Sequence, residues 1–390
     1  MINFTYYAPT KVLFGKDTET ETGRLLTEAR ASKVLVHYGG GSVIRNGLLD
    51  RVKTSMEKAG IDYVLLGGVK PNPRLSLVYD GIELSKNEGV DFILAVGGGS
   101  VIDSAKAIAL GIRNDEDVWD FYEGKRTAKN CAPVGTILTI AAAGSEMSNG
   151  SVITKEDGWL KRPYGNNSMR PVFSILNPEI TYTLPSYQTS CGAVDMMMHT
   201  MERYFTTEEA MEITDGLASA VIKNVMNNAS VALKNPKNYE ARAELMWTSS
   251  IAHNDITGCG GIGDWSTHNI EHELGGMFDI AHGAGLAAVW SSWARYVYKT
   301  KPSRFAKFAK DIFNIDDNDE DAAALAGIEA MEEFFHSIDM PSSIGEMNIN
   351  LTDDQIEELA DKGTNGGTDS MGNFRKLYKQ DLVEIFRMAR

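Results

Sequence analysis

One six-residue pattern, Gly-Gly-Gly-Ser-Val-Ile, occurs twice in the chain, at residues 39–44 and again at 97–102. Each copy follows a short apolar run, Lys33–Tyr38 (KVLVHY) in the first case and Asp91–Val96 (DFILAV) in the second. Each also precedes a stretch with helical periodicity. Runs of that length, rich in Val, Ile and Leu, read as strands buried on both faces. Strands followed by glycine turns and then helices point to a parallel sheet, because parallel strands need a crossover and the crossover helices cover the sheet.

Further strands are expected at Ile61–Leu66 and Val134–Ile140, and helices at Ser42–Ala59, Arg74–Asn87 and Ser100–Ile112. These make residues 1–185 an α/β domain with a parallel, Rossmann-like sheet. Beyond Pro185 strand-like runs largely disappear. Glu209–Leu233, Tyr239–Thr257, Ala281–Lys299 and Asp321–Phe335 carry helical periodicity, and Thr352 with Gln355 fits a capping box. Residues 186–390 are therefore expected to form an all-α domain. Two domains also suit 390 residues, which exceed what one ordinary core accommodates.

The glycine turns suggest a ligand. Glycine lets the backbone approach a bulky anion, and the start of a helix offers unpaired N–H donors. Neither copy is the G-x-G-x-x-G fingerprint, and either alone could be a bare strand-to-helix turn. Two near-identical copies after buried strands favour phosphate binding. Sites selective for NAD commonly hold the adenine ribose with a carboxylate. Here Gly39, Gly40 and Ser42 occupy the first turn with no acidic residue, which favours NADP.

The bulk charge narrows the partners. With 38 Lys and Arg against 53 Asp and Glu, the net charge is −15, and no basic run interrupts it. Such a surface repels nucleic acid and anionic lipid. No apolar stretch reaches membrane-spanning length and no secretory leader is evident, so a cytoplasmic protein is expected. Cys131, Cys191 and Cys259 lack disulfide or zinc-knuckle spacing and read as reduced thiols.

Five residues have the chemistry of metal ligands. Asp195 and His199 are four apart, as are His268 and His272, so each pair shares a helix face. His282 follows in DIAHGAGLA. One carboxylate with two or three imidazoles suits Fe²⁺ or Zn²⁺. Spacing leaves open whether His272 or His282 is a ligand. Met196–Met198 and Met201 read as core filler, and His37, His253 and His336 as structural or exposed.

In combination these residues resemble the iron-containing (group III) alcohol dehydrogenases, particularly their NADPH-dependent butanol dehydrogenase and aldehyde reductase branch. The resemblance is carried by Pro9–Lys16 (PTKVLFGK), Pro71-Asn72-Pro73, Ala95–Asp103 (AVGGGSVID), Ala143–Glu146 (AGSE) and Leu176-Asn177-Pro178. The Asp195, His199, His268 and His282 set completes it. It implies a dehydroquinate synthase-like two-domain architecture and hydride transfer between NADP(H) and a small primary alcohol or aldehyde. It assigns the ion to Asp195, His199, His268 and His282, leaving His272 as a non-ligand histidine that relays a proton or orients the site. It also implies that Gly97, Gly98, Gly99 and Ser100 hold the pyrophosphate, with Asp103 close by. Thr139, Ser148 and Lys161 would flank the nicotinamide half, and Asn72 the adenosine side. A homodimer is implied as well. Two departures stand out. Ala143 replaces a Thr that is frequent in the family, and Gly39 replaces the Asp of NAD-using relatives. Rival readings are a polyol dehydrogenase or a lyase of the same fold, and a metal-dependent hydrolase. The hydrolase leaves both glycine turns unexplained.

Overall fold

The structure is a computed structural model that describes residues 1–390. Eight strands form two sheets: β1 (Lys11–Phe14), β2 (Lys33–Gly39), β3 (Asp62–Val69), β4 (Phe92–Gly97), β5 (Val134–Leu138), β6 (Gly150–Lys155), β7 (Leu160–Gly165) and β8 (Phe173–Leu176). Six lie in one all-parallel sheet of order β1-β8-β5-β4-β2-β3, and β6 pairs antiparallel with β7. The central strand β4, FILAVG, is buried along its whole length, as a strand covered on both faces must be. After β3 the chain crosses to the other side of β2, so the topology switches between β2 and β4. Both Gly-Gly-Gly-Ser turns leave the carboxyl ends of these two neighbouring strands. Parallel α/β sheets bind ligands at such a position.

Six helices accompany the strands: α1 (Thr22–Glu28), α2 (Ser42–Arg45), α3 (Leu48–Lys58), α4 (Leu75–Glu88), α5 (Gly99–Gly111) and α6 (Val118–Tyr122). The single helix expected over 42–59 is broken. Gly47 turns at φ 72°, and the Asn46 side chain accepts the Leu48 N–H at 3.1 Å, starting α3 afresh. The burial of Leu48, Leu49, Val52 and Met56 then gives α3 one apolar face on the sheet.

The later helices are α7 (Ser186–Tyr204), α8 (Glu212–Lys234), α9 (Tyr239–Ala252), α10 (Ser266–Phe278), α11 (His282–Val297), α12 (Pro302–Phe313), α13 (Glu320–Ser337), α14 (Asp353–Gly363) and α15 (Lys379–Ala389). The capping box at Thr352 and Gln355 starts α14. No helix is long and apolar enough to cross a membrane.

The chain packs as two compact units. One comprises Tyr7–Leu184 and Pro236–Asn254, the other Met1–Tyr6, Pro185–Asn235 and Asp255–Arg390. A single cut at 185/186 therefore misplaces α9, which belongs with the α/β unit. The cause is local. Met246 joins the core of the sheet, and the Ser249 and Ser250 hydroxyls donate to the buried Glu146 carboxyl at 3.2 and 2.6 Å. In the helical unit, Phe205, Trp290, Trp293, Phe305 and Phe308 pack together, with Phe205 stacked on Phe305 at 4.3 Å. This aromatic core holds α11, which begins at His282, against the segment that follows α7.

Candidate metal centre and cofactor turns

Helices α7, α10 and α11 bring Asp195, His268 and His282 together, each offering a ligand atom within 4.8 Å of the others. The close approach of α11 to α7 depends on Gly283. A Cβ there would lie 2.1 Å from the Cys191 carbonyl oxygen. His199 borders the set: its ring is centred 4.6 Å from that of His268, and its Nδ1 lies 3.1 Å from Asp195 Oδ1. That nitrogen donates instead to the Asp195 carbonyl, one helical turn back, at 3.0 Å. Asp195 Oδ1 is consequently buried without a hydrogen bond, and so is His268 Nε2.

The other ring nitrogens are already committed. His268 Nδ1 lies 3.0 Å from Glu202 Oε1, which also accepts the His268 backbone N–H at 2.9 Å. His282 Nδ1 is held by Glu271 Oε2. With its Nδ1 satisfied, His268 has Nε2 to offer a metal. Orphaned buried donors of N and O type fit a divalent ion such as Fe²⁺ or Zn²⁺. The electrostatics agree. Burial opposes charge on Asp195, yet His199, His282 and His268 hold its carboxyl down at about 2. Burial, then His199 and His282, keep His268 well below the ordinary imidazole range and hence neutral, as a ligand must be. Burial pushes Glu202 up to about 7 against the pull of its N–H donors.

His272 stands apart from the Asp195 set. It groups with Glu271 and His282, its ring centred 5.8 Å from that of His282. A cavity of about 550 Å³ in the same unit, bordered by Tyr187, Ala281, Ala284 and Met340, is lined by none of these five residues.

The glycine turns divide on inspection. At Gly97 and Gly98 a Cβ would strike Val101 at 2.4 Å and Ile140 at 2.1 Å, so tight packing already demands glycine. At Gly40 nothing lies within 4 Å. Thr139 sits beside the second turn, donating its N–H to Gly97 O at 3.1 Å. Asn72 is buried in the turn after β3, with φ 52°. Ser148 and Lys161 are buried in the 143–165 region. Asp103 is engaged structurally, accepting from Ser145 Oγ at 2.5 Å and Val152 N at 2.9 Å.

Two family descriptions account for nearly the whole chain. Residues 9–178 match "iron-containing alcohol dehydrogenase", and residues 189–390 match the C-terminal part of the same family. The chain belongs to the iron-containing alcohol dehydrogenase family. It is 42% identical to the Bacillus subtilis protein named "Probable NADH-dependent butanol dehydrogenase 2", over all of both chains. It is 32% identical to the NADPH-dependent aldehyde reductase of Escherichia coli, again over both full lengths. Among solved structures, NADH-dependent butanol dehydrogenase A of Thermotoga maritima superposes with a TM-score of 0.95 at 39% identity, covering 100% of this chain and 99% of that one. The reaction class is thus alcohol–aldehyde oxidoreduction with a pyridine nucleotide, and the family implies a metal.

Within this iron-containing alcohol dehydrogenase, sequence reasoning missed three buried residues. Lys106 donates from Nζ to the carbonyls of Ser145, Ser148 and Gly150 at 2.7–2.9 Å and pins the loop after β5. Burial lowers its ammonium to about 8. Its position three residues after Asp103 was the available signal. Glu202 and Glu271 were also passed over. Both lie three residues beyond a clustered histidine, His199 and His268 respectively, which puts them near the same helix face.

Proposed function

We propose that the chain interconverts small primary alcohols and aldehydes of about butanol size with NADP(H), using one Fe²⁺ or Zn²⁺ held by Asp195, His199, His268 and His282. The observation that carries this reading is the buried, unpartnered Nε2 of His268 beside the Asp195 carboxylate and His282. In oxidation the alcohol loses a hydride to NADP⁺ and a proton to solvent, giving aldehyde, NADPH and H⁺. When bound, the ion supplies a Lewis acid that stabilises negative charge on the substrate oxygen, and the nicotinamide carries the hydride.

The remaining work falls to the chain's own residues. Glu202 holds the His268 imidazole in one tautomer. His272 moves the hydroxyl proton at a ring nitrogen, a task suited to imidazole near neutral pH. Gly97–Ser100 bind the pyrophosphate, and Lys106 and Asp103 keep the neighbouring loop in place. Gly39, Gly40 and Ser42 receive the adenosine end, with Asn72 beside it. Thr139, Ser148 and Lys161 flank the nicotinamide half. The names of the relatives divide between NADH and NADPH, so the NADP reading rests on the first turn, which has no carboxylate to repel a 2′-phosphate. A homodimer in the cytoplasm completes the proposal.

Asp195→Ala tests the centre. Bound metal, measured by elemental analysis, and turnover are expected to disappear together. Full activity in a metal-free variant contradicts the assignment.

A further inference from the structure

Glu271 belongs to no ligand set proposed above, yet the geometry around His282 converges on it. It is fully buried, one turn along α10 from His268, and it accepts the Nδ1–H of His282. His282 has more need of an external hold than His268. Its side chain is 25% exposed against 6% for His268, and it is the first residue of α11, with no earlier helical turn packed over it. The space for Glu271 is made by Gly285. A Cβ at that position would lie 2.8 Å from Glu271 Cγ and 3.0 Å from Oε1. The two glycines of His-Gly-Ala-Gly therefore serve different ends, Gly283 admitting the α7 backbone and Gly285 admitting a carboxylate.

We propose that Glu271, seated against the bare face of α11 at Gly285, is a positioning residue that fixes the tautomer and ring plane of His282 and thereby sets how tightly the ion is held. This rests on Asp195, His268 and His282 being ligands. A carboxylate behind a metal-bound imidazole raises its basicity and restricts its rotation, and removing one costs about 10–100-fold in metal affinity.

The test is Co²⁺ titration of the full-length, metal-stripped protein, followed by its visible absorption, with Zn²⁺ affinity measured by competition against a chelator. Glu271→Leu and Gly285→Ala are expected to weaken Zn²⁺ about 10–100-fold and to alter the Co²⁺ spectrum. Glu271→Gln keeps the shape and an acceptor for Nδ1–H, so its loss is expected to be smaller. Unchanged affinity and spectrum in all three variants overturn the proposal. A loss in Glu271→Gln as complete as that of Asp195→Ala also overturns it, because Glu271 is then a ligand. Co²⁺ binding that survives in the Asp195→Ala variant instead overturns the metal centre itself.

Discussion

Gly39 is a glycine that the fold does not require. A Cβ there meets only ordinary contacts, 3.5 Å from Val69 O and 3.7 Å from Val101 Cγ2, whereas the equivalent Gly97 would collide with Val101. Equivalent glycines of the two copies thus differ, Gly97 being demanded by packing and Gly39 not, and this difference is invisible in the letters. Gly39→Asp is therefore expected to fold normally while weakening NADPH more than NADH, by tenfold or more, since like charges a few ångströms apart cost about 1–4 kcal/mol. Fluorescence titration of both cofactors checks this, and equal effects on the two mean that the turn does not face the 2′-phosphate. His272 supplies a second test. His272→Gln is expected to lower kcat and change its pH profile if the imidazole moves the proton. An unchanged profile leaves it an orienting role. The clustered residues were legible because acid and imidazole at four-residue spacing is a helical signature. Glu202 and Glu271 were not, because a buried carboxylate looks like a surface one until its burial is known.

Strands β2 to β5 and helices α4, α5, α8, α11 and α13 follow the periodicity of the sequence to within a few residues. What escaped had weak local signals. β1 and β8 are four residues each, too short for a pattern, and the β6/β7 hairpin buries polar residues, Ser151, Thr154 and Lys161, so it lacks an apolar alternation. The strand β2 also carries the clearest pH-sensitive contact. His37 Nδ1 lies 2.9 Å from Leu66 O and Nε2 2.8 Å from Ser104 Oγ, tying β2 to β3 and α5. Burial lowers its pKa from 6.5 to about 4. The folded state therefore binds fewer protons than the unfolded state between those values, and stability falls as pH drops through that window. About 3 kcal/mol is lost between pH 6.5 and 4 from this group alone, with no further loss from it below. Urea midpoints at pH 7 and pH 5 measure the loss. His37→Gln, which has no imidazole to charge, is expected to show the shallower dependence, and an equal slope removes His37 as its source.

At the scale of the molecule, an α/β part and a helical part were readable from the loss of strand patterns near residue 185, but the exchange of α9 was not. Its attachment depends on two serines finding one buried glutamate a hundred residues away, a pairing that local periodicity does not encode. The Gly-Gly-Gly-Ser turns lie in the α/β unit, and Asp195, His268 and His282 lie in the helical unit. The most direct test follows absorbance at 340 nm with butanal and either NADPH or NADH, before and after chelation, and again with Fe²⁺ or Zn²⁺ restored. Oxidation that favours NADPH, stops on chelation and returns with the ion is the predicted result. Protein with metal demonstrably bound that oxidises neither cofactor with any short aldehyde contradicts the account.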